Sequence, residues 1–502
     1  MSKSMSMRTF LGVQTGWLVV VAASLLTATA AEAIPPRPEA IEFQPLAYTP
    51  PKAADLRKTL PDGTVVYAAE SHEFPLIDLT ITFKGGDSLD PPELPGLASM
   101  MARLVREGGT AELGPAEFDE TLDFLATNVS VSASTTFTTA RLNALADNFD
   151  ESLKLFVAML KAPAFDQQRL DVAKARLVES LKQRNDNASS ILAREWKAML
   201  YGRSHFEASQ PTKTSVLAIG REQLQQIHDR IIHPGNMIVA VSGDFETDAM
   251  LKKLAAAFAG WERGPAAAAP VAPTATLAPG LYHVPKDIPQ GKVVLGKRAI
   301  SRDDPDAIPL ELLNEILGAG GFTSRLMQKV RSNEGLAYSV RSILSERVDY
   351  PGAFQATFES KNPTVALATQ IVMDEIKAIR QQPVTDEELE TAKQGLIETF
   401  PRQFESKPRT LAVFVNDEWT GRPADYWQTY REKVRAVTKD DLLRVAKKHL
   451  DPTQMAILVV GDWEAIAPGD LEKRASMQEF FGGKVEHLPL RDPLTLEPLP
   501  AE

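Results

Sequence analysis

Two residues in the second half of the chain, Arg331 and Tyr338, have the types and spacing to bind a peptide backbone together. They lie seven positions apart. An arginine fork can bind the carbonyl oxygens of an extended backbone, and a tyrosine hydroxyl can donate a hydrogen bond to a polarised carbonyl oxygen. The two side chains could therefore converge on one peptide. The residue types alone leave a more common arrangement open, in which the arginine makes a surface ion pair and the tyrosine ring lies in the core.

The segment around these residues predicts the elements that would position them. A glycine-rich turn at residues 318–321 precedes Thr323 and Ser324, either of which is a typical helix N-cap. We predict a helix from there, ended by Gly335 in the left-handed conformation. Tyr338 then opens a strand, so the helix end and the strand start would hold the two functional groups side by side.

The composition excludes several other kinds of chemistry. The chain has no cysteine and only seven histidines, so thiolate metal sites, disulfides and a cysteine nucleophile are ruled out. The closest histidines, His228 and His233, are five residues apart, which is about 500° around a helix, so their rings point to different faces. We interpret them as solvated residues at a helix end. The net charge of −11 argues against nucleic acid as a partner.

Most of the chain consists of two copies of one repeat. One set of matches lies 218 positions apart: Pro234/Pro452, Met237/Met455, Gly243/Gly461 and Asp244/Asp462. A second set lies 219 apart: Leu170, Ala173, Lys174, Leu177 and Glu179 match Leu389, Ala392, Lys393, Leu396 and Glu398. Matches in the same order at nearly one offset indicate two homologous domains in tandem, each about 220 residues long.

Each half has the pattern of an α+β domain. Short alternating or β-branched segments bounded by Gly, Pro or Asp predict strands, among them Val129–Phe137 and Tyr338–Leu344. Longer amphipathic segments predict helices, with Asp166–Arg184 and Thr385–Phe400 as equivalent members capped by Asp166 and Thr385. We therefore expect a largely antiparallel sheet covered by helices in each domain.

The first 33 residues predict a secretory signal peptide. Lys3 and Arg8 precede an apolar run from Trp17 to Leu26. A run of small residues, typical of a signal-peptide cleavage site, follows and ends at Ala33. The alternative, a membrane anchor, needs about 20 apolar residues, and this run is shorter. We expect a periplasmic or secreted protein that is not inserted in the membrane after cleavage. Cleavage would remove two basic residues and one acidic residue, so the net charge of the mature chain would be −12.

The remaining boundaries follow from the repeat and from composition. We predict an N-terminal domain at residues 34–263, an extended Ala/Pro linker at 264–279 and a C-terminal domain at 280–487. Residues 488–502 form a Pro-rich tail, either an extended arm or a segment without fixed structure.

The sequence resembles the pitrilysin/insulinase-type zinc peptidases, the inverted zincins. Their second-domain pattern S-R-L-x-x-x-x-R-x-x-x-G-L-A-Y-S is matched from Ser324 to Ser339. The resemblance covers nearly everything from about residue 50 to 485. It implies two such domains that form half of a clamshell. It also implies that Arg331 and Tyr338 reach across to substrate bound at a zinc ion, where they bind the peptide and polarise its carbonyl.

The first-domain motif of that family is degenerate here. The pattern G-L-A-H-x-x-E-H is recognisable from Gly96-Leu97-Ala98, but Ser99 and Arg103 stand where the zinc-binding histidines would be. Ala102 replaces the general-base glutamate, and Glu179 falls alone where the third zinc ligand would lie. One carboxylate cannot hold catalytic zinc. We therefore expect this chain to bind no metal itself and to be inactive alone. An Arg103–Glu179 ion pair in place of the metal is a further hypothesis.

The loss of one motif and the retention of the other predict a division of labour. The leading hypothesis is a non-catalytic subunit that binds extended peptide and supplies Arg331 and Tyr338 to a homologous partner that carries zinc. The first alternative is a peptide-binding or scaffold protein without a role in proteolysis, as in the family's respiratory-complex core subunits. The second alternative is a homodimeric enzyme with a different metal site.

Overall fold

In the computed structural model, placement is described for residues 47–500, so the predicted signal peptide lies outside the described residues. From Thr49 onward the described residues form one compact unit. Within that part of the chain, no helix combines the length and the apolar character needed to cross a bilayer.

The first half builds a six-stranded sheet in the order β1-β2-β6-β3-β5-β4. Its strands are β1 (Arg57–Thr59), β2 (Val65–Glu70), β3 (Leu76–Lys84), β4 (Asn128–Ala133), β5 (Phe137–Leu145) and β6 (Met237–Gly243). Its helices are α1 (Ala53–Leu56), α2 (Leu97–Glu107), α3 (Pro115–Phe124), α4 (Phe149–Lys161), α5 (Gln167–Lys182), α6 (Ala188–Tyr201), α7 (Lys213–Ala218), α8 (Arg221–Ile231) and α9 (Thr247–Phe258). All neighbouring strands are antiparallel except β2 and β6.

The second half repeats this plan in the order β12-β7-β11-β8-β10-β9. Its strands are β7 (Gly280–Pro285), β8 (Gln290–Arg298), β9 (Val340–Ser345), β10 (Ala353–Lys361), β11 (Ala456–Gly461) and β12 (Val485–His487). Its α-helices are α10 (Ala307–Asn314), α11 (Val365–Gln381), α12 (Asp386–Thr399), α13 (Lys407–Thr420), α14 (Tyr426–Ala436), α15 (Lys439–His449) and α16 (Trp463–Ile466). The predicted α+β class with two tandem, mainly antiparallel sheets covered by helices is confirmed.

Each half donates one helix to the sheet of the other half. Helix α6 packs on β8 and β11 of the second sheet, and α13 packs on β2 and β6 of the first. Both helices have 14 residues, and their first residues differ by 407 − 188 = 219 positions, which is the offset of the sequence repeat. The exchange buries Trp196 of α6 and Phe414 of α13, at 3% and 2% exposure. Each sheet therefore has one apolar face that is covered in large part by a helix of the other half.

The two equivalent helices predicted at the best-matched positions are confirmed. Asp166 caps α5, its carboxylate accepting the amide hydrogen of Arg169 at 2.8 Å. Thr385 caps α12 through a reciprocal pair of hydrogen bonds with Glu388. The single strand predicted at Val129–Phe137 is wrong, because residues 134–136 turn between β4 and β5.

Between the two sheets, residues 264–279 contain neither helix nor strand. The tail, by contrast, is held against both halves. The Leu488 amide donates to the His283 carbonyl, and the Arg491 carbonyl accepts from Asn185 Nδ2 at 2.7 Å. Over its described part, up to residue 500, the tail is therefore a packed arm.

Candidate functional site

Helix α2 carries the degenerate zinc motif, and its start is fixed by a carboxylate from outside the helix. Gly96 lies in the left-handed region with φ +89°. Asp90 accepts the amide hydrogens of Gly96, Leu97 and Ala98 at 2.7, 3.1 and 2.8 Å. A carboxylate at a helix N-terminus satisfies amides that have no partner within the helix. The frame of the motif is thus kept, although its ligands are not.

The side chains at the degenerate positions are engaged in ways that do not fit zinc. Ser99 Oγ donates to Asp87 at 3.0 Å, and Ala102 is buried in the core. Arg103 pairs with Glu107 one turn along its own helix, at 3.1 Å. None of these groups is a good zinc ligand in this arrangement.

Glu179 does not meet Arg103. Its carboxylate accepts from Lys182 Nζ at 2.6 Å, three residues along α5, and the side chain is 64% exposed. The predicted Arg103–Glu179 ion pair is therefore wrong. Each residue has a closer partner at helical i,i+3 or i,i+4 spacing, and that spacing brings long side chains together without cost to the backbone.

A cavity of about 610 Å³ lies against this helix. Asp87, Ser99 and Arg103 line it from the first domain, and linker residues from Val271 to Ala275 lie along its edge. The linker is held there by a hydrogen bond between His205 Nε2 and the Val271 carbonyl at 2.8 Å. Burial raises the pKa of Asp87. The cavity offers acceptors and one guanidinium to a polar ligand.

The histidine pair His228 and His233 is not arranged as a metal site either. His228 and His233 are buried, at 2% and 4% exposure, so their interpretation as solvated residues is wrong. His228 Nε2 lies 2.8 Å from the Leu160 carbonyl, and the Gly264 amide donates to His233 Nδ1 at 3.1 Å. The His228 ring joins two segments of the first half, and the His233 ring joins the first half to the start of the linker. Helical spacing alone does not reveal these roles.

Among the described residues, one group of three side chains has the spacing of metal ligands: Asp304, Asp306 and His449. The Asp306 carboxylate already accepts hydrogen bonds from Arg444 and Lys448 at 2.7 Å each, and His449 Nε2 lies at the same distance. These basic neighbours hold the pKa of Asp306 far below its usual range. The group is therefore a buried carboxylate neutralised by basic side chains.

In the second half, Arg331 and Tyr338 come together as the motif predicts. The guanidinium carbon of Arg331 lies 4.6 Å from the centre of the Tyr338 ring and 4.7 Å from that of Phe322. The arginine is thus held between two aromatic faces, an arrangement favoured by the attraction between a cation and a ring face. We call these three residues the aromatic clamp.

The backbone that positions the clamp differs in detail from the prediction. Ser324 Oγ donates to the Gly321 carbonyl at 2.6 Å and Thr323 Oγ1 to the Gly320 carbonyl at 2.9 Å, so neither side chain caps the helix by accepting an amide hydrogen. The following helix is wound as a π-helix over Met327–Asn333. Gly335 does take the left-handed conformation, with φ +65°. Strand β9 begins at Val340, two residues beyond Tyr338.

The clamp is exposed, and its polar groups have no partner in the described part of the chain. Tyr338 is 79% and Phe322 65% exposed. No described residue accepts a hydrogen bond from Arg331 or pairs with the Tyr338 hydroxyl. Phe322 was not predicted as a site residue. The signal for it was a large apolar residue placed directly after the glycine-rich turn.

Fold and site together define a class of protein: a tandem pair of α+β domains with exchanged helices, in which Ser99, Ala102 and Arg103 replace the His, Glu and His of the zinc motif. Profiles of two domains match, "Insulinase (Peptidase family M16)" at residues 65–209 and "Peptidase M16 inactive domain" at residues 218–396. The chain belongs to the M16 peptidase family.

Relatives with curated names support this assignment. The chain is 28% identical over 405 residues to "Non-peptidase homolog YmxG" of Helicobacter pylori, covering 79% of this chain and 91% of that protein. It is 30% identical over 299 residues to an uncharacterized zinc protease of Mycobacterium bovis, covering 58% of this chain and 67% of the relative. The crystal structure of a peptidase M16 inactive domain from Pseudomonas fluorescens superposes with a TM-score of 0.73 at 25% identity, over 81% of this chain and 97% of that one.

Proposed function

We propose that this protein is the non-catalytic subunit of a heteromeric M16 peptidase. It binds an extended peptide and supplies Arg331 and Tyr338 to the zinc site of a homologous partner that carries the H-x-x-E-H motif. The observation that supports this role is the exposed aromatic clamp, in which a guanidinium and a phenol are held in place without any described hydrogen-bond partner.

The clamp has the physical properties of a prepared binding group. The guanidinium carbon of Arg331 lies within 4.7 Å of both ring centres, and these contacts restrict the side chain before a ligand binds. Its N–H groups remain available to peptide carbonyls, and the Tyr338 hydroxyl can donate to a carbonyl oxygen on which negative charge develops. A structural residue pair would instead be expected to bury these groups or to satisfy them within the chain.

The neighbouring strand suggests how a peptide would be held. Strand β9 begins just after Tyr338 and lies at the edge of the second sheet. An edge strand presents backbone N–H and C=O groups to which an extended peptide can add as a further strand. Substrate running along β9 would pass the clamp at its Tyr338 end.

The test is co-expression with an H-x-x-E-H homologue, with peptide cleavage and zinc content measured on the purified complex. Tyr338→Phe removes only the hydroxyl and should lower kcat by about a hundredfold to a thousandfold, the range for one donor to a developing oxyanion, with zinc content unchanged. Tyr282→Phe is the matched control, because the Tyr282 hydroxyl donates to the Ala278 carbonyl within the chain. Normal turnover by the Tyr338→Phe complex would refute the assigned role.

A second candidate function is peptide binding or scaffolding without proteolysis, as the name of the Helicobacter pylori relative suggests. It predicts that the complex, or the chain alone, binds extended peptides but gives no cleavage that depends on Arg331. Stoichiometric zinc in the chain purified alone would contradict both candidates and favour a homodimeric enzyme. We propose that either function is carried out in the periplasm or outside the cell, because residues 1–33 have the sequence pattern of an export signal. Fractionation of cells that express the tagged protein would test that location.

A further inference from the structure

Arginines gather around one buried carboxylate at the junction of α6 and the C-terminal tail. Glu195 is 1% exposed and accepts hydrogen bonds from Arg194 Nε at 3.4 Å and from Arg203 Nη2. Arg491 Nε, from the tail, lies 3.9 Å from the same carboxylate. Three guanidinium groups thus share one buried negative charge, in a protein that is otherwise acidic.

The cluster carries more positive than negative charge, and some of its buried N–H groups have no hydrogen-bond acceptor. Arg194 is 8% exposed, yet its Nη1 has no hydrogen-bond partner in the described residues, and neither has Arg491 Nε. Burial and positively charged neighbours lower the pKa of Arg194 and of Arg184, the latter to about 10. Buried N–H groups of a charged side chain are costly to leave without an acceptor, so this site calls for an additional anion.

A cavity of about 280 Å³ opens at this place. Arg194, Arg203 and Arg491 line it, and hydroxyl-bearing side chains, Ser209 and Thr212 among them, complete its wall. Glu93 also lines it but is exposed, and exposed Glu497 acts on Arg491 from the tail, so solvent weakens the effect of both. Guanidinium forks together with hydroxyl donors are the usual partners of tetrahedral oxyanions.

We propose that this cavity is a binding site for a phosphate-type oxyanion, which fastens the C-terminal tail to the first half of the chain. The ligand would be free phosphate or the phosphate of a lipid headgroup, since both present the same oxygens. Arg194 and Arg203 would hold it from the first half, and Arg491 would hold it from the tail. The site is separate from the aromatic clamp and stands independently of the proposed subunit role.

The test measures binding of inorganic phosphate to the full chain in a low-salt chloride buffer, by calorimetry and by thermal unfolding. The wild-type protein should bind with saturation and unfold at a higher temperature as phosphate is added. Arg203→Gln should weaken binding by about tenfold or more, because one charge-assisted hydrogen-bonding group is lost. Arg203 is 44% exposed, so the variant should fold. Arg402→Gln, at an exposed arginine of the second half, is the control and should bind like the wild type.

A second readout separates a ligand at this site from a general salt effect. Phosphate should slow proteolysis of the tail more strongly in the wild type than in Arg203→Gln. Co-sedimentation with vesicles rich in phosphatidic acid, competed by free phosphate, identifies the lipid headgroup as source. Phosphate binding without co-sedimentation identifies the free ion. Absence of saturable binding, or equal binding by Arg203→Gln and wild type, would overturn the proposal.

Discussion

Replacing Glu311 by Gln should stabilise this protein at alkaline pH and leave its stability unchanged in acid. Glu311 lies in α10, where its Oε2 accepts from the Tyr430 hydroxyl at 2.9 Å. Burial raises the pKa of Glu311 to about 7, and the nearby Glu346 and Glu315 act in the same direction. The folded protein therefore binds a proton on this carboxyl group more tightly than the unfolded chain does, since the ordinary pKa is 4.5.

The sign and size of the effect follow from linkage. The stability contributed by the protonated Glu311 is fully present below about pH 4.5 and is lost as the pH rises through about 7. A difference of about 2.5 pKa units corresponds to about 3 kcal/mol. Gln is neutral at every pH and can still accept from Tyr430, so it avoids this loss. We expect Glu311→Gln to gain up to about 3 kcal/mol at pH 8 and almost nothing at pH 4.5.

Urea denaturation of both proteins at pH 4.5, 6 and 8 measures this difference. Glu390→Gln is the control, because its carboxylate is 61% exposed and removing an exposed charge should change stability by less than about 0.5 kcal/mol at each pH. A Glu311→Gln variant less stable than the wild type at pH 8 would refute the reasoning, since it would mean that Glu311 is ionised and favourably paired in the folded protein.

Two further predictions concern contacts between the halves. Glu207 is 4% exposed and accepts from Arg347 Nε at 2.6 Å and from the Tyr350 hydroxyl at 2.9 Å. Glu207→Gln should therefore cost about 2 kcal/mol at pH 7, less than a fully buried pair because Arg347 is partly exposed. Arg347 and Tyr350 hold the pKa of Glu207 below its usual value, so this loss of stability should become smaller below about pH 4. If urea denaturation at pH 3.5 showed the same difference in stability between variant and wild type as at pH 7, the assignment would be contradicted. Phe414→Ala should cost about 3–5 kcal/mol, and hydrogen exchange should show faster opening of β2 and β6 in the first half; faster exchange confined to the second half would contradict the exchanged packing.

The repeat and its best-matched helices were predictable because local rules decide them. The spacing of apolar residues and the caps Asp166 and Thr385 define α5 and α12, and tertiary contacts do not override them. The β4–β5 turn was missed because residues 134–136 are serine and threonine, which also occur within strands. The exchange of α6 and α13 could not be predicted, since an amphipathic pattern shows that a helix has a buried face but not which sheet covers it.

The candidate site shows the same limits. The proximity of Arg331 and Tyr338 was predictable from the sequence, because their spacing across a short helix and a turn determines that their side chains lie close together. It did not reveal Phe322, whose role depends on how the glycine-rich turn folds back over the arginine. The predicted partner of Arg103 was wrong because a neighbour on its own helix, Glu107, lies within easier reach than Glu179 on another helix.

The exchanged helices also set the order in which the chain can complete its folding during synthesis. The face of the first sheet that includes Tyr67 and Ile238 is covered by α13, which ends at Thr420. Strand β6 of that sheet ends at Gly243, so 420 − 243 = 177 further residues must follow before this face can be covered. A nascent chain of this protein exposes an apolar sheet surface throughout that interval, which is the state in which chains aggregate or are bound by chaperones.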